Sequence, residues 1–292
     1  MKTLEGANPV ALLLFFVYVT GLAMFIPFPF LIAASLICGM GYYYLTPGDK
    51  KGSFTAFAWL LFLALTIANP IISHKGETVL LFINGRPITL ESFYFGLNSS
   101  AMILSALYWF KTLTLVMSSD KLIYLTSLLS KNLSLIISMT VRFVPLFSRQ
   151  RRSIKQTQLA MGRYNDDSLT ADIRSNIRVF SILITWALEG GITSADSMEA
   201  RGFSLGRRSC FRREKMGLFD ISLVIIMSTL FGVCVYSRLS GGLSYSFYPR
   251  AGIAPLGKGG AAGLMAYTLL AALPMILKAE VSLKWRLLRS GI

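Results

Sequence analysis

The chain of 292 residues is 54% hydrophobic and only 15% charged, yet 29 Lys and Arg against 14 Asp and Glu leave a net charge of +15. Soluble domains are about 25% charged, so this balance excludes a disordered chain and a soluble nucleic-acid binder, which would carry its basic patch on a charge-rich surface. Three scattered cysteines exclude a disulfide scaffold: Cys38 and Cys234 lie in apolar runs and Cys210 in a basic stretch, with no metal-ligand spacing, and they read as small apolar filler. A membrane protein with its basic residues gathered on one side accounts for both features.

From Gly6 to Gly48 no residue is charged. As one helix these 43 residues would reach about 64 Å, twice the roughly 30 Å hydrocarbon core, and Pro27 and Pro29 mark the break. The reading is span 1 over 9–26 and span 2 over 30–45. A second span following directly, with no small-residue cleavage site, argues against a cleaved signal peptide. Gly52–Ser73 and Ser92–Phe110 supply spans 3 and 4. Ile221–Ser237, extended by Gly217–Phe219, supplies span 5, and Gly259–Leu277 span 6. Gly and Ala within the last two suit close helix packing in lipid.

Charge orients these spans. Thirteen Lys and Arg fall between 149 and 215, in the clusters Arg149, Arg151, Arg152, Lys155 and Arg207, Arg208, Arg212, Arg213, Lys215. The positive-inside rule makes that segment cytoplasmic. Lys50, Lys51, Lys284, Arg286 and Arg289 then lie on the same side, and both termini come out cytoplasmic, as six spans require. The expected fold class is an all-α integral membrane protein of about six transmembrane helices. It divides into 1–117 with spans 1–4, 118–216 as cytoplasmic or interfacial helices, and 217–292 with spans 5 and 6 and a tail.

Within 118–216 the apolar runs Leu133–Val141 and Val179–Leu188 are too short to span and suit interfacial or protein-buried helices. Lys121, Lys131 and Arg142 would stand at the lipid–water boundary. Pro145 should kink or start a helix, a basic helix over 147–163 follows, and Asn165-Asp166-Asp167 ends it in a turn. Asp172 opens the next helix and Gly190-Gly191 closes it. Thr193 or Ser194 then caps a short helix over 194–202, with Asp196 in its first turn and Gly202 as left-handed terminator.

By itself Ala200-Arg201-Gly202 is an ordinary helix C-terminus, and the basic clusters suit anionic lipid headgroups. In context, two tips stand on the cytoplasmic face; small Ala and Gly let a partner backbone approach, and Arg offers a fixed fork of donors to carboxylates.

Ser197-Met198-Glu199-Ala200-Arg201-Gly202-Phe203 resembles the second Ala-Arg-Gly coupling motif of the transmembrane (T) components of energy-coupling factor (ECF) transporters, the CbiQ/EcfT type. Asn69-Pro70-Ile71-Ile72, Gly76-Glu77-Thr78 and Asn84-Gly85-Arg86-Pro87-Ile88-Thr89-Leu90-Glu91 are similar to its Asn-Pro and outer-loop pattern. Arg142-Phe143-Val144-Pro145-Leu146 resembles the stretch before its first coupling helix. The likeness covers about residues 65–215. The family's first coupling motif reads Ala-Arg-Gly or Ala-Arg-Ser. Here the matching place is Ala160-Met161-Gly162 with Arg163 one residue later, so either Arg163 serves from a shifted position or that helix relies on packing by Met161.

The resemblance implies a non-catalytic subunit of an ATP-driven importer, without cofactor, bound metal or catalytic residues of its own. Its partners would be two ABC ATPase subunits, a membrane substrate-binding (S) component for a vitamin or a transition-metal ion such as cobalt or nickel, and membrane lipids, in the cell membrane; no nucleic acid is involved. Residues 118–216 would be its coupling region, with Glu199, Ala200, Arg201 and Gly202 at one tip and Ala160, Gly162 and Arg163 at the other. The chain holds no Gly-x-x-x-x-Gly-Lys-Ser/Thr loop, so it is not itself the ATPase. A secondary transporter is the alternative, but spans 1 to 3 carry no ionisable residue for ion coupling. An ordinary ABC importer permease would typically use one coupling loop per subunit. An intramembrane enzyme lacks support: His74 is the sole histidine, in a predicted outer loop. The topology is checked by Asp166→Cys in a cysteine-free background. It should stay unlabelled by an impermeant thiol reagent applied outside intact cells, and labelling there would overturn the orientation.

Overall fold

A computed structural model describes residues 6–47, 51–72, 76–83, 86–162, 169–203, 205, 216–248 and 258–290. The helices are α1 (Pro9–Phe25), α2 (Pro29–Leu45), α3 (Lys51–Ile72), α4 (Leu90–Val116), α5 (Ser119–Leu129), α6 (Lys131–Ala160), α7 (Leu169–Ala200), α8 (Leu218–Leu239) and α9 (Lys258–Ser290). Between α3 and α4 the strands β1 (Val79–Ile83) and β2 (Arg86–Thr89) form an antiparallel hairpin. The chain separates into two compact units, Met1–Ser118 with Glu214–Ile292, and Ser119–Arg213.

Each of the six stretches read as spans is a helix of the first unit. Asn8 caps α1 by accepting from the Val10 amide at 3.0 Å, with Pro9 in the first turn. The chain leaves α1 at Ile26 and re-enters helix at Pro29, so the two prolines make the break. Among the described residues five helices are long and apolar enough to cross a membrane: α3 from Gly52, α4, α7 from Asp172, α8, and α9 over Gly259–Val281. At 17 residues, α1 and α2 are shorter, at the low end of the roughly 17–25 that a crossing needs. The protein is thus a helical membrane protein.

The core of this unit forms around Trp109 of α4. Its ring meets Phe15 and Phe16 of α1 edge-on, at 5.7 and 6.1 Å, and Tyr42 of α2 at 6.4 Å. Its indole N–H donates to Ser35 Oγ at 3.1 Å, which satisfies the one polar atom of a fully buried ring. Gly39 makes the approach possible, since a Cβ there would stand 3.1 Å from the indole nitrogen. From α9, the Tyr267 hydroxyl donates to the Val19 carbonyl at 3.4 Å. On the far side of α4, Thr66 and Ser100 share a hydroxyl bond at 2.7 Å, and Gly96 packs against the Thr66 carbonyl. The outer face of α3 leaves Leu60, Leu63, Ile67 and Ile71 exposed, as a lipid-facing helix does. Close backbone packing ties α8 to α9, where Ser237 donates to the Gly259 carbonyl at 2.6 Å.

Two buried carboxylates hold chain ends in place. Glu91, in the first turn of α4, accepts from the Thr78 hydroxyl at 2.6 Å and from the Thr78 amide, fastening the hairpin to the helix. Asp220, at the third position of α8, accepts from the Gly217 amide at 3.0 Å and from the Asn8 amide at 3.1 Å. It closes its own helix and fixes the N-terminus of α1 beside it.

The second unit departs from the expected helix boundaries. Pro145 lies inside α6, which runs unbroken from 131 and joins the Leu133–Val141 run to the basic segment. Gly190-Gly191 does not end α7, and no separate helix starts at 194. Thr193 and Ser194 are mid-helix, their hydroxyls donating to the carbonyls of Glu189 at 2.9 Å and Gly190 at 2.6 Å instead of capping. Gly in a helix interior costs about 1 kcal/mol per residue but forbids nothing, and the flanking turns carry the helix through. Asp172 does sit in the first turn of α7. The Asn165–Asp167 turn, Arg163, Cys210 and the 207–215 cluster lie outside the described residues.

Replacing Asp220 by Ala should lower stability by about 2–4 kcal/mol, because two backbone donors lose a charged acceptor in a buried place. Thermal unfolding of the detergent-solubilised protein measures this. Asp220→Asn should recover part of the loss, since an amide oxygen still accepts.

Candidate functional site

α6 and α7 run antiparallel. Trp186 of α7 meets Phe147 of α6 edge-on at 5.9 Å, and Phe147 stacks on Phe143 at 5.6 Å. Ile154 and Val179 are buried nearer the other end. A cleft of about 740 Å³ opens between the two helices. Met139 and Arg142 line it from α6, and Trp186, Ser197, Met198 and Arg201 line it from the α7 side. The end of α7 therefore lies beside the first half of α6, and Met161 stands some five turns beyond Arg142, about 30 Å along the helix.

Both helices end at a left-handed glycine with the same five-to-two hydrogen bond. At the end of α7 the Arg201 amide donates to Ser197, the Gly202 amide to Glu199 at 2.9 Å and the Phe203 amide to Met198 at 3.1 Å, with Gly202 at φ +75°. This six-to-one and five-to-two pattern around a left-handed residue is a Schellman motif. At the end of α6 the Met161 amide donates to Thr157 at 3.0 Å and the Gly162 amide to Leu159 at 3.0 Å, with Gly162 at φ +67°. Ala160 thus matches Ala200, Met161 matches Arg201 and Gly162 matches Gly202. Carbonyls of the last turn accept locally at each end, and each cap residue stands next to a left-handed glycine. Met161 is 63% exposed, and Ala160, Glu199, Ala200 and Arg201 are exposed.

The sequence-derived site residues do not form one constellation. The structure groups Ala160 with Gly162 at one tip and Glu199 with Ala200, Arg201 and Gly202 at the other, about 30 Å apart along α6. Arg163 follows Gly162 in the sequence and lies outside the described residues. Sequence reasoning passed over Leu159, which matches Glu199, and the contrast between the helix shafts. Residues 145–162 carry Arg149, Arg151, Arg152 and Lys155 with no carboxylate, whereas 185–202 carry Glu189, Asp196 and Glu199 with Arg201 as the lone cation. A charge count by segment would have found it. One stripe of α7 also stays uncovered: Ile173, Ile177, Phe180, Ile184, Leu188 and Ile192 recur at steps of three or four and are all exposed.

The profile of the CbiQ family, described as cobalt transport protein, matches residues 2–210. The energy-coupling factor transporter transmembrane protein EcfT of Bacillus selenitireducens (strain ATCC 700615 / DSM 15326 / MLS10) is 33% identical over 113 residues, 38% of this chain. The match spans 42% of that relative's own length.

Gly202→Ala should weaken the α7 end by about 1–2 kcal/mol, because an L side chain disfavours the left-handed conformation. The new Cβ would meet only the flexible end of Leu205, at 3.3 Å, so the strain is in the backbone. Hydrogen exchange of the 198–203 amides should speed up in this variant and less so in Gly202→Asn.

Proposed function

The chain belongs to the CbiQ family of cobalt transport proteins, and we propose that it is the transmembrane T component of an ECF-type importer. In that role it couples ATP hydrolysis by two cytoplasmic ABC ATPases to cargo release from a membrane-embedded S component. The relative it resembles is itself named as an energy-coupling factor transporter transmembrane protein. The observation that carries the reading is the pair of equivalently capped tips at opposite ends of the antiparallel α6 and α7. One tip per ATPase suits two subunits that close on each other, because the separation lets each tip follow its own subunit. The aromatic contact of Phe147 with Trp186 and the buried Ile154 and Val179 brace the helices against each other, so that movement of one tip reaches the other helix.

The exposed apolar stripe of α7 supports a contact with membrane or with the S component, which an apolar face at helical spacing fits. The spanning unit reads as scaffold. Its buried carboxylates Glu91 and Asp220 sit in first helical turns and hold backbone amides, an arrangement that fixes structure. The cargo is a vitamin or a transition-metal ion selected by the S component, and the chain resides in the plasma membrane with both termini inside, on the positive-inside argument.

Arg201→Glu should abolish ATP-dependent uptake and ATPase co-purification while membrane insertion is retained. It reverses the charge at an exposed cap whose fork of donors suits carboxylates. Wild-type uptake and co-purification in that variant would sink the coupling assignment. Arg163→Ala should have a smaller effect, because Met161 holds the place equivalent to Arg201.

A further inference from the structure

The cleft between α6 and α7 has two chemically distinct ends. Phe147 meets Trp186, so in an antiparallel pair Arg142 stands level with about residue 191 of α7. On the Trp186 side of that level the lining is apolar, with Phe143, Leu146 and the indole itself. Beside this end the surface stays apolar, Leu188 of α7 being 64% exposed and Val144 of α6 60%. On the other side, with Met139 and Met198, come the hydroxyls of Thr193, Ser194 and Ser197, and then Arg201 at the mouth, roughly 15 Å farther along the helix.

The charged residues that line the cleft are Arg142, Glu189 and Arg201, a balance of one positive charge. Among the described residues neither guanidinium is in an ion pair. Thr193 and Ser194 give their hydroxyl protons to carbonyls of their own helix, whereas the Ser197 hydroxyl has no partner among the described residues. The free donors of the cleft are therefore Arg142, Ser197 and Arg201. Asp196 and Glu199 belong to α7 but do not line it, and Arg149, Arg151 and Arg152 lie past Phe147 on α6. Arg163 and the cluster at 207–215 are outside the described residues.

We infer that this cleft binds one anionic phospholipid with a hydroxylic headgroup, of the phosphatidylglycerol kind. The Arg142 guanidinium holds the phosphodiester, a planar fork of donors matched to two phosphate oxygens. The headgroup extends toward Ser197 and Arg201, and an acyl chain leaves over Phe143, Leu146 and Trp186, the indole standing at the boundary between the two as tryptophan does at a membrane interface. Charge selects the lipid. One phosphodiester neutralises the lining, whereas a second phosphate would face Glu189 without a counter-charge. A zwitterionic headgroup would turn its own cation toward Arg201. A free phosphate would leave the apolar end uncovered. Arg201 at the exposed mouth adds positive potential that draws the headgroup in.

The test uses the full chain, with whatever subunits co-purify, in phosphatidylcholine nanodiscs doped with phosphatidylglycerol that carries a photoactivatable acyl chain. Adducts are mapped by peptide mass spectrometry. The expected result is labelling of the 139–146 and 186–198 segments, reduced by about tenfold or more in Arg142→Gln, since a hydrogen bond to a charged group is lost. Labelling of the outer face of α3, where Leu60, Leu63 and Ile67 are exposed, should be equal in the two proteins and reports that the variant is folded and inserted. Equal cleft labelling in wild type and Arg142→Gln overturns the site, and so does equal labelling by photoactivatable phosphatidylcholine. Loss of cleft labelling on adding millimolar glycerol 3-phosphate, with α3 labelling intact, shows a site for free phosphate and overturns the lipid. In native membranes, p-benzoylphenylalanine at position 143 should capture lipid; capture of a protein chain there, with no lipid adduct, gives the cleft to a protein partner and overturns the inference.

Discussion

A helix leaves its first amides and last carbonyls without partners, and in a chain this apolar the ends are where polar chemistry concentrates. Burial in lipid or protein makes each unclosed end costly. The protein closes them locally: Asn8 on α1, Thr89 on α4, Asp220 on α8, and left-handed glycines after α6 and α7. Asp220 also joins elements, since it reaches the Asn8 amide, and Glu91, two residues after the Thr89 cap, does the same by reaching back to Thr78. The spanning unit is therefore fixed at its helix ends by carboxylates and in its middle by aromatic packing on Trp109.

In the second unit the same constraint gives a different result. Glycine at the position after the cap lets the chain leave the helix at once, so each cap residue stands at an extremity with its side chain outward. Because α6 and α7 are antiparallel, these extremities fall at opposite ends of one braced pair. Their distance apart is set by helix length, and therefore by the absence of a break at Pro145 and at Gly190-Gly191. Had α7 stopped at those glycines, Arg201 would stand on a short helix of about two turns, and a push on it would be absorbed by the loop before it.

The six apolar helices were legible because lipid imposes a simple rule: a stretch without charge must be helical and must be about a bilayer long. The break at Pro27 and Pro29 was legible because proline removes a donor and clashes with the preceding turn. The left-handed cap at Gly202 was legible for a similarly local reason. Gly190-Gly191 misled because glycine permits a stop without requiring one, and the continuation of α7 is supported by contacts such as Trp186 with Phe147, across nearly forty residues of chain. Thr193 and Ser194 misled likewise, since a hydroxyl serves as a cap or bonds back to the preceding turn. The antiparallel run of α6 and α7, which separates the tips, is a tertiary fact that no local pattern carries. Nor does the spacing of hydrophobic residues announce the hairpin that Glu91 fastens to α4.

The choice of residue at the two caps then says something that helix stability does not. The negative end of a helix dipole favours a cation by about 0.3–1 kcal/mol, within the last turn. Arg201 gains from this, whereas Lys155, the nearest upstream cation of α6, stands six residues before Met161, outside the last turn. On helix energetics alone Arg would be the better residue at both caps. An exposed methionine at 161 forgoes that term and adds apolar surface facing solvent. Methionine is flexible and polarizable and adapts to irregular apolar floors, whereas the rigid fork of arginine demands matched acceptors. The same backbone cap thus presents an adaptable apolar side chain at one end of the helix pair and a rigid cationic one at the other.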